Sequence, residues 1–158
     1  MTKEQIQAFT LRVSSANKTE MIVILYDIAI TYLNDSVSAI ENDNKSLFRA
    51  ELNRTKSTVQ ELINSVDTSS ELGRTLLKLY VYCNRELTNA YINYDEAPAR
   101  HVIKIFGELR EAYEVASSQD KSGAVMSNAQ TVYNGLTYNR NLLNEILTDT
   151  STNRGFLA

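Results

Sequence analysis

The sequence has very few residues that interrupt helices. Pro98 is the single proline, and only five glycines occur among 158 residues. Proline and glycine destabilise a helix interior more than any other residues, and no alternating apolar pattern of useful length indicates a strand. We therefore predict an all-α fold, and the length suits one domain with a single hydrophobic core.

An internal disulfide is excluded because Cys83 has no second cysteine in the chain to pair with. Tyr80 and Leu87 lie at helical spacing from it, which favours a small buried hydrophobe in a reducing compartment. A reactive thiol is the weaker alternative, since no basic residue or second cysteine is placed to activate it.

Catalytic and metal-binding patterns are also lacking. His101 is the only histidine, and Pro98 stands three residues before it, so the Glu-x-x-His pairs of di-iron bundles cannot form. We place His101 on a helix surface, with a proton-sensitive contact as the alternative. Because phosphate-binding loops, CxxC pairs and HExxH stretches are missing as well, we predict no enzyme, no metal and no cofactor.

Charge of one sign is nowhere concentrated along the chain. The formal net charge is -3, and Lys and Arg are scattered among Asp and Glu, so we predict no nucleic-acid partner. No segment approaches the roughly 18 uninterrupted apolar residues of a membrane span, and no charged stretch leads into an apolar run at the start. We expect a cytoplasmic protein without membrane insertion.

Apolar residues recur at three- and four-residue steps in four segments of about twenty residues each, which predicts four helices. Asn17 and Glu20 form a capping box that opens the first helix, Ile40 ends its apolar face, and Asp95 is the predicted cap of the fourth. Short connections favour an antiparallel up-down four-helix bundle. The predicted core residues are Met21, Leu25, Ile28, Tyr32, Leu33, Phe48, Leu52, Thr55, Val59, Leu62, Val66, Leu72, Leu76, Tyr80, Cys83, Leu87, Tyr91, Tyr94, Val102, Phe106, Leu109, Tyr113 and Ala116.

The two ends of the chain differ from the bundle. Residues 1–13 are predicted to form a short helix or hook bearing Ile6 and Phe9, within a bundle domain of residues 1–118. Residues 119–158 are rich in Asn, Ser and Thr but keep an apolar series, so we predict a C-terminal extension that is either partly helical, as an amphipathic helix interrupted near Gly135, or flexible.

The third and fourth helices carry more apolar surface than one core face needs. Leu77, Val81 and Ile92 fall on a second stripe of the third helix, and Ile103 and Ile105 widen the apolar arc of the fourth. We predict that these five residues line a groove covered by a partner helix, a second subunit or the protein's own tail. The alternative is that they complete a broad core.

Three motifs, in order, resemble a known family. Residues 13–17 followed by Glu20–Ile30 resemble the cap and first helix of the flagellin export chaperones, the FliS family. Leu76 through Asp95 is similar to that family's third-helix signature, and Leu109–Tyr113 to its Leu-Arg-Glu-Ala-Trp ending. The resemblance covers about Ile6 to Ala116.

The resemblance implies a cytoplasmic chaperone that binds the C-terminal helical segment of flagellin, prevents premature polymerisation and delivers it to the flagellar export gate. Ile6 and Phe9 match the family's Ile-x-x-Tyr hook, with Phe in place of Tyr. Family members also often dimerise, and a non-catalytic homodimer with a structural or regulatory role is the alternative. We further hypothesise that the C-terminal extension folds over the groove until a client displaces it.

Overall fold

The computed structural model describes residues 1–125 and contains five α-helices in that part of the chain. They are α1 (Lys3–Ser15), α2 (Lys18–Glu41), α3 (Lys45–Asn64), α4 (Glu71–Asn93) and α5 (Ala97–Gln119). No strand occurs among the described residues. The all-α prediction is confirmed, and the predicted hook is the helix α1.

The beginning of α2 follows the predicted capping box. The backbone amide of Glu20 donates to Asn17 Oδ1 at 2.8 Å, and the Asn17 amide donates to Glu20 Oε2 at 2.9 Å. Each side chain thus satisfies a backbone donor that the first helical turn would leave free. The helix ends at Glu41, before a turn in which Asp43 has a φ of 50°.

The cap of α5 differs from the prediction. Glu96 occupies the N-cap position and makes no capping bond with its side chain. The helix therefore begins one residue later than predicted, although the predicted cap Asp95 still accepts a hydrogen bond from the Ala97 amide at 2.9 Å. Pro98 lies in the first turn, where its missing donor is tolerated.

Cross-helix contacts establish the antiparallel order. Tyr94 at the end of α4 packs edge-on against Phe48 at the start of α3, with ring centroids 5.3 Å apart. Thr19 at the start of α2 bonds to Asp120 beyond the end of α5, at 2.6 Å. Each of α2 and α4 packs against both α3 and α5. The four helices therefore form an up-down bundle, and α1 packs on α2 outside it.

The core lies between these four helices and differs from the predicted set mainly on α2. There the fully buried face includes Ile22, Tyr26, Ala29 and Leu33, whereas the predicted Met21, Leu25, Ile28 and Tyr32 are only partly buried. Since α2 is apolar on nearly every side, spacing could not identify the face turned toward the centre. Among the other predicted core residues, Leu72 and Ala116 are exposed because they lie near the ends of α4 and α5.

The helix α2 is long and apolar enough to cross a membrane by length and composition alone. It also supplies many of the buried core residues of the bundle, and the central helix of a bundle has the same composition. Its apolar character is thus accounted for by packing against α1, α3 and α5.

The bundle unit extends from Met1 to Val125, past the predicted boundary at residue 118. The Val125 amide donates to the Ala16 carbonyl at 2.9 Å, and Asn17 Nδ2 donates to the Asp120 carbonyl at 3.4 Å. The amphipathic helix predicted near Gly135 and its folding over a groove lie outside the described residues.

Candidate partner-binding surface

The outer flank of α4 carries an apolar stripe. Val81 is 56% exposed and Ile92 65% exposed, and Leu77 is half-buried. At about 100° per residue, these three side chains leave the helix within an arc of about 60°. They therefore lie on one surface, which we call the α4 stripe.

The other two predicted groove residues do not join this surface. Ile103 and Ile105 are half-buried and pack against the core. Two residues apart on α5, they leave opposite flanks of the helix. Ile105 lies on the flank of His101, which contacts Tyr82 of α4, and Ile103 lies on the flank of Arg110, which faces α2. The structure does not bring the five residues into one groove, since both isoleucines are half-buried against the core on opposite flanks of α5.

The hook residues lie over α2. Phe9 is half-buried, and Ile6 is 51% exposed. Together with Val13, Ile28 and Tyr32 they line an open cavity of about 270 Å³ between α1 and α2. No residue of α1 is fully buried, so this helix is attached by few contacts.

Two carboxylates of α2 anchor the hook, Asp35 through the Met1 ammonium and Asp27 through Arg12. Arg12 Nη2 of α1 lies 2.7 Å from Asp27 Oδ2, and Arg110 of α5 donates from Nε to the other carboxylate oxygen. Arg110 also reaches Glu114 Oε2 at 2.8 Å. The hydrogen bond to Asp27, with a smaller contribution from Glu114, raises the pKa of the guanidinium. Two of the sequence motifs, around Asp27 and around Arg110, thus meet at one carboxylate that ties α1, α2 and α5 together.

A second apolar cavity, missed by the sequence argument, lies at one end of the bundle. It has a volume of about 200 Å³ and lies between the start of α2, the α3–α4 connection and the end of α5. Leu72, 68% exposed, lies at its edge with Val66, Leu76 and Tyr113. The periodic pattern placed Leu72 in the core and gave no signal that the bundle is open here.

Two tyrosines and the cysteine of the core stay protonated at neutral pH. The hydroxyls of Tyr26 and Tyr80 share a hydrogen bond, and burial raises the pKa of Tyr80 to about 12 and that of Tyr26 further. Burial also raises the pKa of the Cys83 thiol to about 12. The thiol is therefore protonated and buried, as predicted, and suits packing better than reactivity.

The predicted surface position of His101 is confirmed, since its side chain is exposed and lies edge-on to Tyr82, with ring centroids 6.1 Å apart. Over residues 1–125, no group of three His, Cys, Asp or Glu side chains is placed to hold a metal ion.

Comparisons with known proteins agree with these features. A sequence model of the family described as "Flagellar protein FliS" matches residues 1–120. The flagellar secretion chaperone FliS of Bacillus subtilis (strain 168) is 25% identical over 109 residues, which is 69% of this chain and 82% of that protein. The resemblance inferred from three motifs is confirmed. Since the matched residues include α1 and all four bundle helices, the chain belongs to the FliS family of flagellar proteins.

Proposed function

We propose that this protein is a cytoplasmic flagellar secretion chaperone that holds the C-terminal helical segment of flagellin until export. The proposal rests on family membership and on the α4 stripe, because Val81 and Ile92 are large apolar side chains exposed on the bundle. A client helix whose own apolar stripe would pack against other subunits in a filament finds an equivalent surface there. Binding on the chaperone and polymerisation then compete for the same client face.

The α4 stripe is suited to a helix in length as well as chemistry. Leu77 and Ile92 are fifteen positions apart, about 22 Å along the axis at 1.5 Å per residue. Full burial of one such side chain stabilises a complex by about 1.5 to 3 kcal/mol. The binding free energy is smaller than the sum of these contributions, because both partners lose translational and rotational freedom on association. The stripe therefore supports a client that also contacts other parts of the bundle.

The hook is a second contact for the client in this proposal. Ile6 is exposed beside the cavity under α1, where a client side chain could pack against it and Phe9. Phe9 carries no hydroxyl, so its contact is apolar. Catalysis has no part in the proposed function, and delivery to the export gate would be a second binding event.

Co-purification tests the proposal. The full-length chaperone should retain flagellin from its own bacterium and lose it when the last few dozen residues of flagellin are removed. Retention of the truncated flagellin would contradict binding to the C-terminal segment. A different result would favour the structural homodimer: no flagellin is retained, the wild type sediments as a dimer, and the Val81→Asp variant sediments as a monomer.

A further inference from the structure

The fold gathers cations that are dispersed in the sequence. Lys45, Arg49 and Lys56 lie on one flank of α3, within about 40° of one another at about 100° per residue. The Arg49 guanidinium lies over the Tyr91 ring of α4, 5.0 Å from its centroid, and Lys45 Nζ lies 5.1 Å from the centroid of Tyr94. This flank of α3 therefore faces α4.

A second row of cations lies on α4 itself. Lys78 and Arg85 leave the helix nearly opposite its core face, and Arg85 lies over Tyr82, 5.4 Å from the ring centroid. Between the two rows lies the α4 stripe, which turns from the core toward α3. We call the five cations Lys45, Arg49, Lys56, Lys78 and Arg85 the basic face.

The charges of the basic face are not neutralised within residues 1–125. None of the five cations forms an ion pair in that part of the chain, and Arg49 Nε is buried there without a hydrogen-bond partner. No Asp or Glu stands three or four positions from any of the five cations within its own helix. In a chain with a net charge of -3, this is a local excess of positive charge.

We infer that the basic face is a docking surface for an amphipathic helix whose apolar stripe is flanked on both sides by carboxylates. The inference rests on the proposed function in taking the client to be a helix, and it specifies the chemistry of that client. The α4 stripe, an apolar row between two cationic rows, favours this partner over a polyanion. A polyanion without an apolar stripe would pair with the cations but leave the apolar side chains of the α4 stripe uncovered. The aliphatic stems of Lys and Arg can pack along the apolar stripe of the client while their charged groups pair with its carboxylates.

Two synthetic peptides of equal length and identical leucine stripe, one flanked by glutamates and one by lysines, test the inference on the full-length protein. By fluorescence anisotropy the glutamate peptide should bind at least about tenfold more tightly at about 50 mM salt, and the advantage should shrink at about 300 mM. Equal affinity for the two peptides would overturn the inference.

Matched variants test whether the preference for the glutamate peptide depends on the basic face. Lys45→Glu, Lys56→Glu and Lys78→Glu together should abolish the preference, whereas the control Lys3→Glu, Lys104→Glu and Lys121→Glu, with the same change in net charge, should preserve it. A control that loses the preference equally would show that overall charge, and not this face, is responsible. Thermal unfolding of both variants identifies any loss of fold, and Arg85→Ala alone then provides a milder substitution that should reduce the preference.

Two further probes separate the alternatives. If a single-stranded DNA oligonucleotide bound as tightly as the glutamate peptide and Val81→Asp left that binding intact, the surface would be a polyanion site and the inference would be wrong. The C-terminal segment of flagellin is titrated in parallel. Failure of the wild type to bind it contradicts the proposed function, while failure of the peptide preference contradicts the basic face alone.

Discussion

Tyr26 and Tyr80 place two hydroxyl groups at the centre of the bundle, where each is the hydrogen-bond partner of the other. Tyr26 also packs against the rings of Phe106 and Tyr113, with centroids 5.6 and 5.8 Å away. Periodicity could predict that Tyr80 and Phe106 are buried, but it could not pair the hydroxyls, because the pairing depends on how α2 and α4 face each other across the core.

Replacing either tyrosine by phenylalanine should therefore destabilise the protein more than replacing both. Tyr26→Phe or Tyr80→Phe leaves one buried hydroxyl without a partner, at a cost of about 1 to 3 kcal/mol, whereas the double variant removes both polar groups. Urea unfolding of the four proteins measures the coupling. Additive losses in the double variant would show that the hydroxyls do not depend on each other.

Two glycines in helices should respond oppositely to alanine. A Cβ at Gly73 would lie 1.8 Å from the Asp67 carbonyl oxygen, whereas at Gly107 it meets nothing within 4 Å. Gly73→Ala forces the α3–α4 connection to move and should destabilise the protein by about 1 to 3 kcal/mol. Gly107→Ala should stabilise it by about 0.5 to 1 kcal/mol through helix propensity. Thermal unfolding of the two variants measures both effects. Equal changes in stability would contradict the close approach of Gly73 to Asp67.

At the scale of elements, sequence spacing located helices better than it located their faces. The capping box of Asn17 and Glu20 is local, so the start of α2 could be predicted from the sequence. The surfaces depend on neighbours. Spacing alone placed Ile103 and Ile105 on surplus surface, but the packing of α5 leaves both half-buried against the core. Val81 and Ile92 remain exposed.

The helix α1 should be released more easily than any other element when its ion pair is removed. Arg12→Ala deletes its contact with Asp27, a pair worth about 0.2 to 1 kcal/mol for partly exposed groups. Amide hydrogen exchange in α1 should accelerate up to a few-fold, while exchange in α3 and α4 stays unchanged. Arg100→Ala, which removes a pair with Glu96 and Glu41 at the other end of the bundle, is the matched control. Unchanged exchange in Arg12→Ala would mean that the pair with Asp27 does not hold the hook on α2.

At the scale of the whole molecule, charges that are evenly scattered in the sequence are unevenly distributed on the folded surface. The residues of the basic face are up to 40 positions apart in the chain and meet only because α3 and α4 are antiparallel neighbours. Sequence reasoning therefore predicted the fold class, the family and the exposed α4 stripe, but not the cations beside it. Net charge and local runs carry no information about which helix flanks adjoin.

The stability of the molecule should fall in alkaline solution. Unfolded tyrosine and cysteine lose their protons near their ordinary pKa values of 10.0 and 9.0, whereas burial raises the pKa of Tyr80 and of Cys83 to about 12 in the folded protein. Above about pH 9 the unfolded state therefore binds fewer protons, and the free energy of unfolding decreases as pH rises. Urea unfolding between about pH 8 and 11 measures this loss, which should be smaller in the double variant Tyr26→Phe/Tyr80→Phe. A flat profile would contradict the pKa shifts.

The central claim is that an exposed stripe on α4 receives a client helix. Calorimetric titration of the flagellin C-terminal segment into the full-length protein tests it with three chains: the wild type, Val81→Asp/Ile92→Asp, and Val115→Asp. Val115 is 64% exposed on α5 and serves as the matched control. We predict that the wild type and Val115→Asp bind alike and that the double variant binds at least about tenfold more weakly. Equal binding by all three chains, with unchanged unfolding, would contradict the account.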